Sequence, residues 1–415
     1  MVARYRGVIW IAVTAALATP GAGAQEWPQW RGPKRDGAVA SFSEPAAWPE
    51  RLERRWQAEV GTGYATPLLV GDRIFAFTRQ ADEEVMSALD ASTGKVLWRT
   101  AYAAPFSMNP ATARHSAGPK STPAYANGKL FTLGMTSIVT AFDAGTGRRL
   151  WQTSPTRVQP MYHTAMSPVV DGDLVIVHVG GPGDGALTAF DAATGAVRWK
   201  WTGDSPAYGS PIVVDLQGTR QVVTFTHQNL VGVSVKTGEL LWRRPFTTPA
   251  STTSQTPIQH RDTVIQAGRD NGITAFRVMR GADGWTTEDV WRTKDVSLHM
   301  TNGVVVDGVL YGLSHLNSGQ YFALDLDSGR VLWTSAARQA ENAAMVSAGK
   351  TVFALQDDAQ LVAVRARRDR FEPIQRYEVA DSETWAQPAI HGNRVFVKDV
   401  SKITLWVLGA AGSQR

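Results

Sequence analysis

Apolar and polar residues alternate along most of this chain in short runs, and the runs end at Gly, Asp, Asn or Thr. A period of two belongs to half-buried antiparallel strands, whereas a helix repeats its apolar positions every three to four residues. No long amphipathic helical stretch interrupts the pattern. The chain therefore predicts an all-β fold and excludes a helical solenoid.

One motif recurs within the strands. Ala88-Leu89-Asp90-Ala91-Ser92-Thr93-Gly94-Lys95-Val96-Leu97-Trp98 is its clearest copy, and Asp143 to Trp151, Asp191 to Trp199, Ser234 to Trp242 and Asp325 to Trp333 repeat it. The first polar residue stands eight positions before the Trp each time. This is the signature of a tight hairpin: Gly94 and its equivalents supply the positive φ, and Asp90 and its equivalents accept the N–H groups that the turn exposes. The Trp then ends an outer strand, where its face can cover the neighbouring sheet. A buried indole contributes roughly 2–3 kcal/mol of apolar transfer, enough for several to hold a ring of sheets together.

The docking positions Trp56, Trp98, Trp151, Trp199, Trp242, Trp291, Trp333 and Tyr377 recur about every 46 residues, the length of one four-stranded propeller blade. A second marker precedes each inner strand: Thr66-Pro67, Thr122-Pro123, Ser167-Pro168, Ser210-Pro211, Thr256-Pro257 and Gln387-Pro388, with Thr301-Asn302 and Ala343-Ala344 in the remaining slots. Both markers count eight. Residues 388–408 supply three strands without a Trp-bearing fourth, and residues 54–60 supply a fourth strand with no blade before it. The prediction is an eight-bladed β-propeller over 54–408 whose ring is closed by the N-terminal strand, an arrangement that hides two sheet edges. Residues 25–53 are expected to pack on the propeller, with Trp27 and Trp30 pinning them to its side, and 409–415 form a tail.

The first residues carry a secretory pattern: Arg4 and Arg6, the apolar run Val8 to Leu17, then Ala22-Gly23-Ala24 as a small-x-small cleavage site. Residues 1–24 read as a signal peptide removed after Ala24, and the mature protein is expected in the periplasm or secreted. The run is too short to span a bilayer, where about 20 apolar residues are needed. There is no cysteine, which excludes disulfides, a lipid anchor on an N-terminal Cys, thiolate metal sites and haem attachment. A net charge of +5 spread over many loops forms no basic stripe for nucleic acid. A monomer is expected.

The Ala-x-Asp-x-x-Thr-Gly-x-x-x-Trp pattern resembles the tryptophan-docking motif of the quinoprotein alcohol dehydrogenase-like superfamily. Trp27-Pro28-Gln29-Trp30-Arg31-Gly32-Pro33, Gly118 to Pro123 and Asp171 to Ile176 are similar to stretches of bacterial PQQ-binding-like β-propeller repeat proteins. The resemblance covers about 27–408. It implies one of two roles: a pyrroloquinoline-quinone (PQQ) dehydrogenase with calcium, or a BamB-like scaffold without catalysis. The large dehydrogenases carry a vicinal disulfide over the quinone, which this chain lacks, and no full Glu/Asn/Asp set for their calcium stands out. The cofactor stays unassigned. BamB-like members carry an anchor Cys, also missing here.

In a propeller, the loops entering each inner strand and those joining the second and third strands crowd one mouth of the channel. By that rule Arg114, His115, Lys120, His163, Tyr208, His299 and Trp385 belong to entering loops, and His227, Asn229, Arg269, Asn271 and His315 to second-to-third-strand loops. Such polar residues could merely line a water-filled channel. Alternatively they form a funnel in which Arg114, Lys120 and Arg269 hold an anion, histidines ligate a metal and Trp385 stacks on a ring. Catalytic residues remain unassigned. Gly349-Lys350-Thr351 is an inner-hairpin turn rather than a phosphate loop, since a strand and not a helix follows. Asp325 to Gly329 is the repeat's own turn and lacks the distal Glu of a calcium loop.

The leading expectation is an exported, non-catalytic envelope protein whose propeller face binds a small anionic ligand or another envelope protein. The competing one is a periplasmic PQQ-dependent dehydrogenase acting on an alcohol or sugar.

Overall fold

The computed structural model describes residues 27–112 and 115–409. The proposed leader and residues 410–415 lie outside that range. Eight four-stranded antiparallel sheets follow one another: seven are 68–103, 124–152, 169–201, 212–245, 258–293, 304–334 and 343–378. The eighth takes Ala389–His391, Arg394–Lys398 and Lys402–Val407 from the C-terminal end and Glu53–Glu59 from the N-terminal end. This is an eight-bladed propeller closed by its N-terminal strand. Trp56 stands opposite Leu405, and the pairing runs from Glu53↔Val407 to Glu59↔Lys402.

The repeated turn shows why its residues are needed. Asp90 Oδ1 accepts the N–H groups of Ser92 (3.0 Å) and Thr93 (2.8 Å). The Ser92 and Thr93 hydroxyls donate to the same oxygen, and these bonds first, with the backbone N–H groups after them, hold the Asp90 carboxyl at a pKa of about 2. Gly94 sits at φ +71, and a Cβ there would lie 2.6 Å from the Trp56 ring. The glycine thus meets two demands, the left-handed backbone and the close approach of an indole from the previous blade. Trp56 Nε1 donates to Ala91 O (3.1 Å), locking the eighth blade to the first. Trp98 does the same to Ala144 O, Trp151 to Ala192 O, Trp199 to Val235 O and Trp291 to Leu326 O.

Three docking positions depart from this scheme. Trp242 turns onto its own sheet: it packs on Gly232 and donates to Gln221 Oε1 (2.7 Å). The fifth blade explains it, because its long hairpin Gly272–Gly281/Gly284–Thr293 has no Thr-Gly turn to receive an indole. Trp242 meets only Phe276 of that blade, edge-on at 5.7 Å. Trp333 donates to Arg367 O beside Phe371, again without a glycine. Tyr377 is buried, and its hydroxyl donates to Pro49 O in the N-terminal segment, where the next blade's turn was expected.

The second marker is a hydroxyl belt. Thr66 N–H donates to Thr122 Oγ1 (3.0 Å), Thr122 N–H to Ser167 Oγ (2.9 Å) and Ser167 N–H to Ser210 Oγ (2.9 Å). Each Ser or Thr satisfies a buried backbone donor of the preceding blade, which proline in the next position cannot do. At the sixth blade Asn302 Oδ1 takes the role, accepting from Thr256 N–H at 2.7 Å.

The N-terminal segment does not lie along the propeller's side. Residues 27–38 cross the end of the channel. Trp27 bridges to Leu69, Pro28 O accepts from Tyr125, Trp30 Nε1 donates to Thr256 Oγ1, and Ala38 bridges to Ser347. Contacts with the inner strands of so many blades are available only near the axis. Arg31 and Arg35 are buried there and serve backbone carbonyls. Arg31 donates to Gly303 O (2.7 Å), Asp36 O (2.9 Å), Asn302 O (3.2 Å) and Arg35 O (3.2 Å). Arg35 donates to Pro168 O and Ser167 O. Desolvation lowers their pKa values to about 10 and about 9, so both stay charged at neutral pH.

Candidate functional site

The free mouth of the channel is a cup of about 410 Å³. Every blade contributes its entering loop: Tyr64, His115 with Lys120, Tyr162, Tyr208, Thr252 with Ser254, His299 with Met300, Glu341 and Trp385, in ring order. Arg269 alone reaches in from a second-to-third-strand loop. Radius explains the sorting, because inner strands stand nearest the axis and the loops entering them crowd it, while the next loop out begins farther away.

The wall is largely aromatic. The Trp385 ring lies 5.2 Å from His115, edge to face, and 6.0 Å from Tyr64. Tyr162 and Tyr208 are 5.7 Å apart, and the Tyr208 hydroxyl accepts from Tyr162 N–H. Burial raises the Tyr208 pKa to about 12, so it remains a phenol. Lys120 donates from Nζ to Tyr162 O (2.9 Å), and burial lowers its pKa to about 8. His299 is lowered to about 4 by burial first and then by Arg269 and His315, which leaves it neutral at pH 7. Among the described residues Arg269 and Lys120 are the Arg and Lys side chains that line the space.

Of the residues expected at the mouth, His115, Lys120, Tyr208, Arg269, His299 and Trp385 converge on the cup. Five others stand outside its lining. His163 is buried behind Lys120, its ring 4.6 Å from Phe106. Asn229 serves Asp204, which accepts from Asn229 Nδ2 (2.8 Å) and Thr226 Oγ1 (2.5 Å), while the His227 backbone N–H donates to Ser205 O. Asn271 serves its own loop by donating to Thr247 O and Arg269 O. His315 pairs with Asp270 Oδ1 (2.9 Å) and touches the site only through His299, 5.8 Å away. Arg114 lies outside the described residues. Tyr64, Tyr162 and Met300 were not among the expected set, although each belongs to an entering loop and the loop rule alone could have found them.

The family described as outer membrane protein assembly factor BamB matches residues 35–202, 81–335 and 322–414, overlapping as repeats do. The chain belongs to this BamB family. It is 24% identical over 326 residues to BamB of Yersinia pestis, covering 75% of this chain and 67% of that protein. It is 33% identical over 150 residues to the dehydrogenase subunit of the quinone alcohol dehydrogenase of Acetobacter aceti, but this spans 33% of the chain and 19% of the subunit. The crystal structure of BamB from Moraxella catarrhalis superposes with a TM-score of 0.64 at 14% identity, covering 88% of this chain and 99% of that one, a likeness of fold.

The quinone and calcium of the wider superfamily can be tested against the donors of this BamB-family chain. Among the described residues no group of three or more His, Cys, Asp or Glu side chains is placed to hold a metal ion. The cup offers ring faces, the cations Lys120 and Arg269 and the single carboxylate of Glu341. Among the described residues no helix is long and apolar enough to cross a membrane.

Proposed function

We propose that this chain is an exported, non-catalytic binding propeller of the cell envelope, an assembly-factor-like scaffold whose cup takes hold of an envelope partner or a small anionic ligand. The observation that carries this reading is the convergence of all eight entering loops on one aromatic cup lined by Arg269 and Lys120. Ring faces supply contact area at low entropic cost, and a guanidinium at the wall favours an acidic or carboxylate-bearing group. The family match over most of the chain supports the scaffold role. Maturation after Ala24 and a periplasmic or secreted location belong to the same proposal and rest on the Arg4 to Ala24 pattern.

The test is complementation. In the host lacking this gene, the amount of folded outer-membrane protein is measured with the wild type or the Arg269→Ala/Trp385→Ala variant restored. The proposal expects a deficit that the wild type repairs and the variant does not. No deficit, together with dye reduction by the purified protein that depends on added PQQ and calcium and is lost in the same variant, would put the dehydrogenase reading first.

A further inference from the structure

Lys120 stands apart from the other cationic groups of the cup. Its Nζ lies at the wall beside Tyr162, and among the described residues it makes one hydrogen bond, to Tyr162 O, and no ion pair with a carboxylate. Its neighbour His163 is itself held below the usual imidazole range by burial and by Lys120. A primary amine that is half-buried, unpaired with any acid and facing a ring-lined space is the setting in which lysine becomes a nucleophile. The Arg269 guanidinium stands three blades further round the same wall.

We propose that Lys120 is a covalent capture site for carbonyl compounds, forming an imine with aromatic aldehydes that carry a carboxylate. The amine lone pair attacks the carbonyl carbon, and a C–N bond forms as the carbonyl π bond breaks. Both N–H protons pass to the carbonyl oxygen in turn: the first gives the carbinolamine, and the second lets the oxygen leave as water as the nitrogen lone pair closes the C=N bond. Amine and aldehyde thus give imine and water, with no oxidant or reductant. The aldehyde's ring is placed against Tyr162 and Tyr208 beside Lys120, and its carboxylate is directed across the cup toward Arg269. This deepens the binding role proposed above and rests on the cup being the binding face.

The effective pKa of about 8 supports the assignment. At pH 7.5 such an amine is neutral more than about a hundredfold more often than an ordinary lysine. The test uses the purified mature chain, 4-formylbenzoate and cyanoborohydride to fix the imine, with peptide mapping by mass spectrometry. Lys120 is expected to be modified at least about tenfold faster than exposed Lys95 and Lys236. Lys120→Arg, which keeps the charge and the Tyr162 contact, is expected to lose the fast adduct with Tm unchanged. Arg269→Ala is expected to slow 4-formylbenzoate about tenfold and to leave benzaldehyde unaffected. Modification of Lys120 no faster than of Lys95 overturns the proposal, and an equal Arg269→Ala effect on both aldehydes overturns the carboxylate assignment. The adduct is read on purified protein and the envelope role in cells, so the failure of one is distinguishable from the failure of the other.

Discussion

The contact between Trp56 and Gly94 joins the two ends of the ring, and its energetics can be isolated by a double-mutant cycle. Trp56→Ala removes a buried indole that packs on Gly94 and on Phe396, with ring centroids 6.0 Å apart, and donates to Ala91 O. Truncating such a side chain costs about 3–5 kcal/mol. Gly94→Ala carries two costs: about 1–2 kcal/mol for a left-handed alanine at φ +71, and about 1–3 kcal/mol for a Cβ placed 2.6 Å from the indole. In the Trp56→Ala background the second cost disappears because the space is vacated. The cycle should therefore show a coupling of about 1–3 kcal/mol, with the double variant more stable than the sum of the singles. Gly128 is the control: at φ +74 it has nothing within 4 Å of a built Cβ, so Gly128→Ala should cost the backbone strain alone and add to Trp56→Ala. Urea unfolding followed by far-UV circular dichroism gives the four stabilities, with m held constant across the set. Additivity of Trp56→Ala and Gly94→Ala to within about 0.5 kcal/mol would refute the argument that the glycine is demanded by the indole.

Three further outcomes are expected. Arg31→Met strips three buried carbonyls and one part-buried carbonyl of their donor and should cost at least about 3 kcal/mol, with amide exchange accelerating first over Trp27 to Ala38; exchange unchanged there would refute the plug. Lys398, buried on Gly61 O, Asp399 O and Val400 O, has its pKa lowered from 10.5 to about 8, so between those values the unfolded chain binds more protons than the folded one. Stability from this group is full above about pH 10.5 and is lost as the pH falls to 8, so the stability of the wild type relative to Lys398→Met should rise across that window in urea titrations. Trp385→Ala should weaken binding of the cup's partner about 30-fold, read by titration calorimetry, and leave Tm within a few degrees.

What the chain determined alone was everything set by neighbours in sequence. The period of two makes strands, and Asp90 with Gly94 makes a hairpin by bonds that span only a few residues. The spacing of the eight docking aromatics, with spare strands at both ends, predicts eight blades and a ring closed by the N-terminal strand, and the structure pairs Glu53–Glu59 there with Trp56 opposite Leu405. What only the tertiary structure decided was distance from the axis. Loop class placed His115 and His227 on one face, but blade geometry carries one into the cup and leaves the other outside its lining, where its backbone N–H donates to Ser205 O. The same holds for Trp242, whose indole folds back because the long hairpin of the adjacent blade has no Thr-Gly turn to receive it, a property of residues that follow it in the chain and meet it only once the blades pack. Arg31 is the plainest case: among its neighbours in sequence it looks like a surface cation, and its burial is completed by Asn302 O and Gly303 O of the sixth blade's entering loop, which only the tertiary structure brings to it beside the local Arg35 O and Asp36 O.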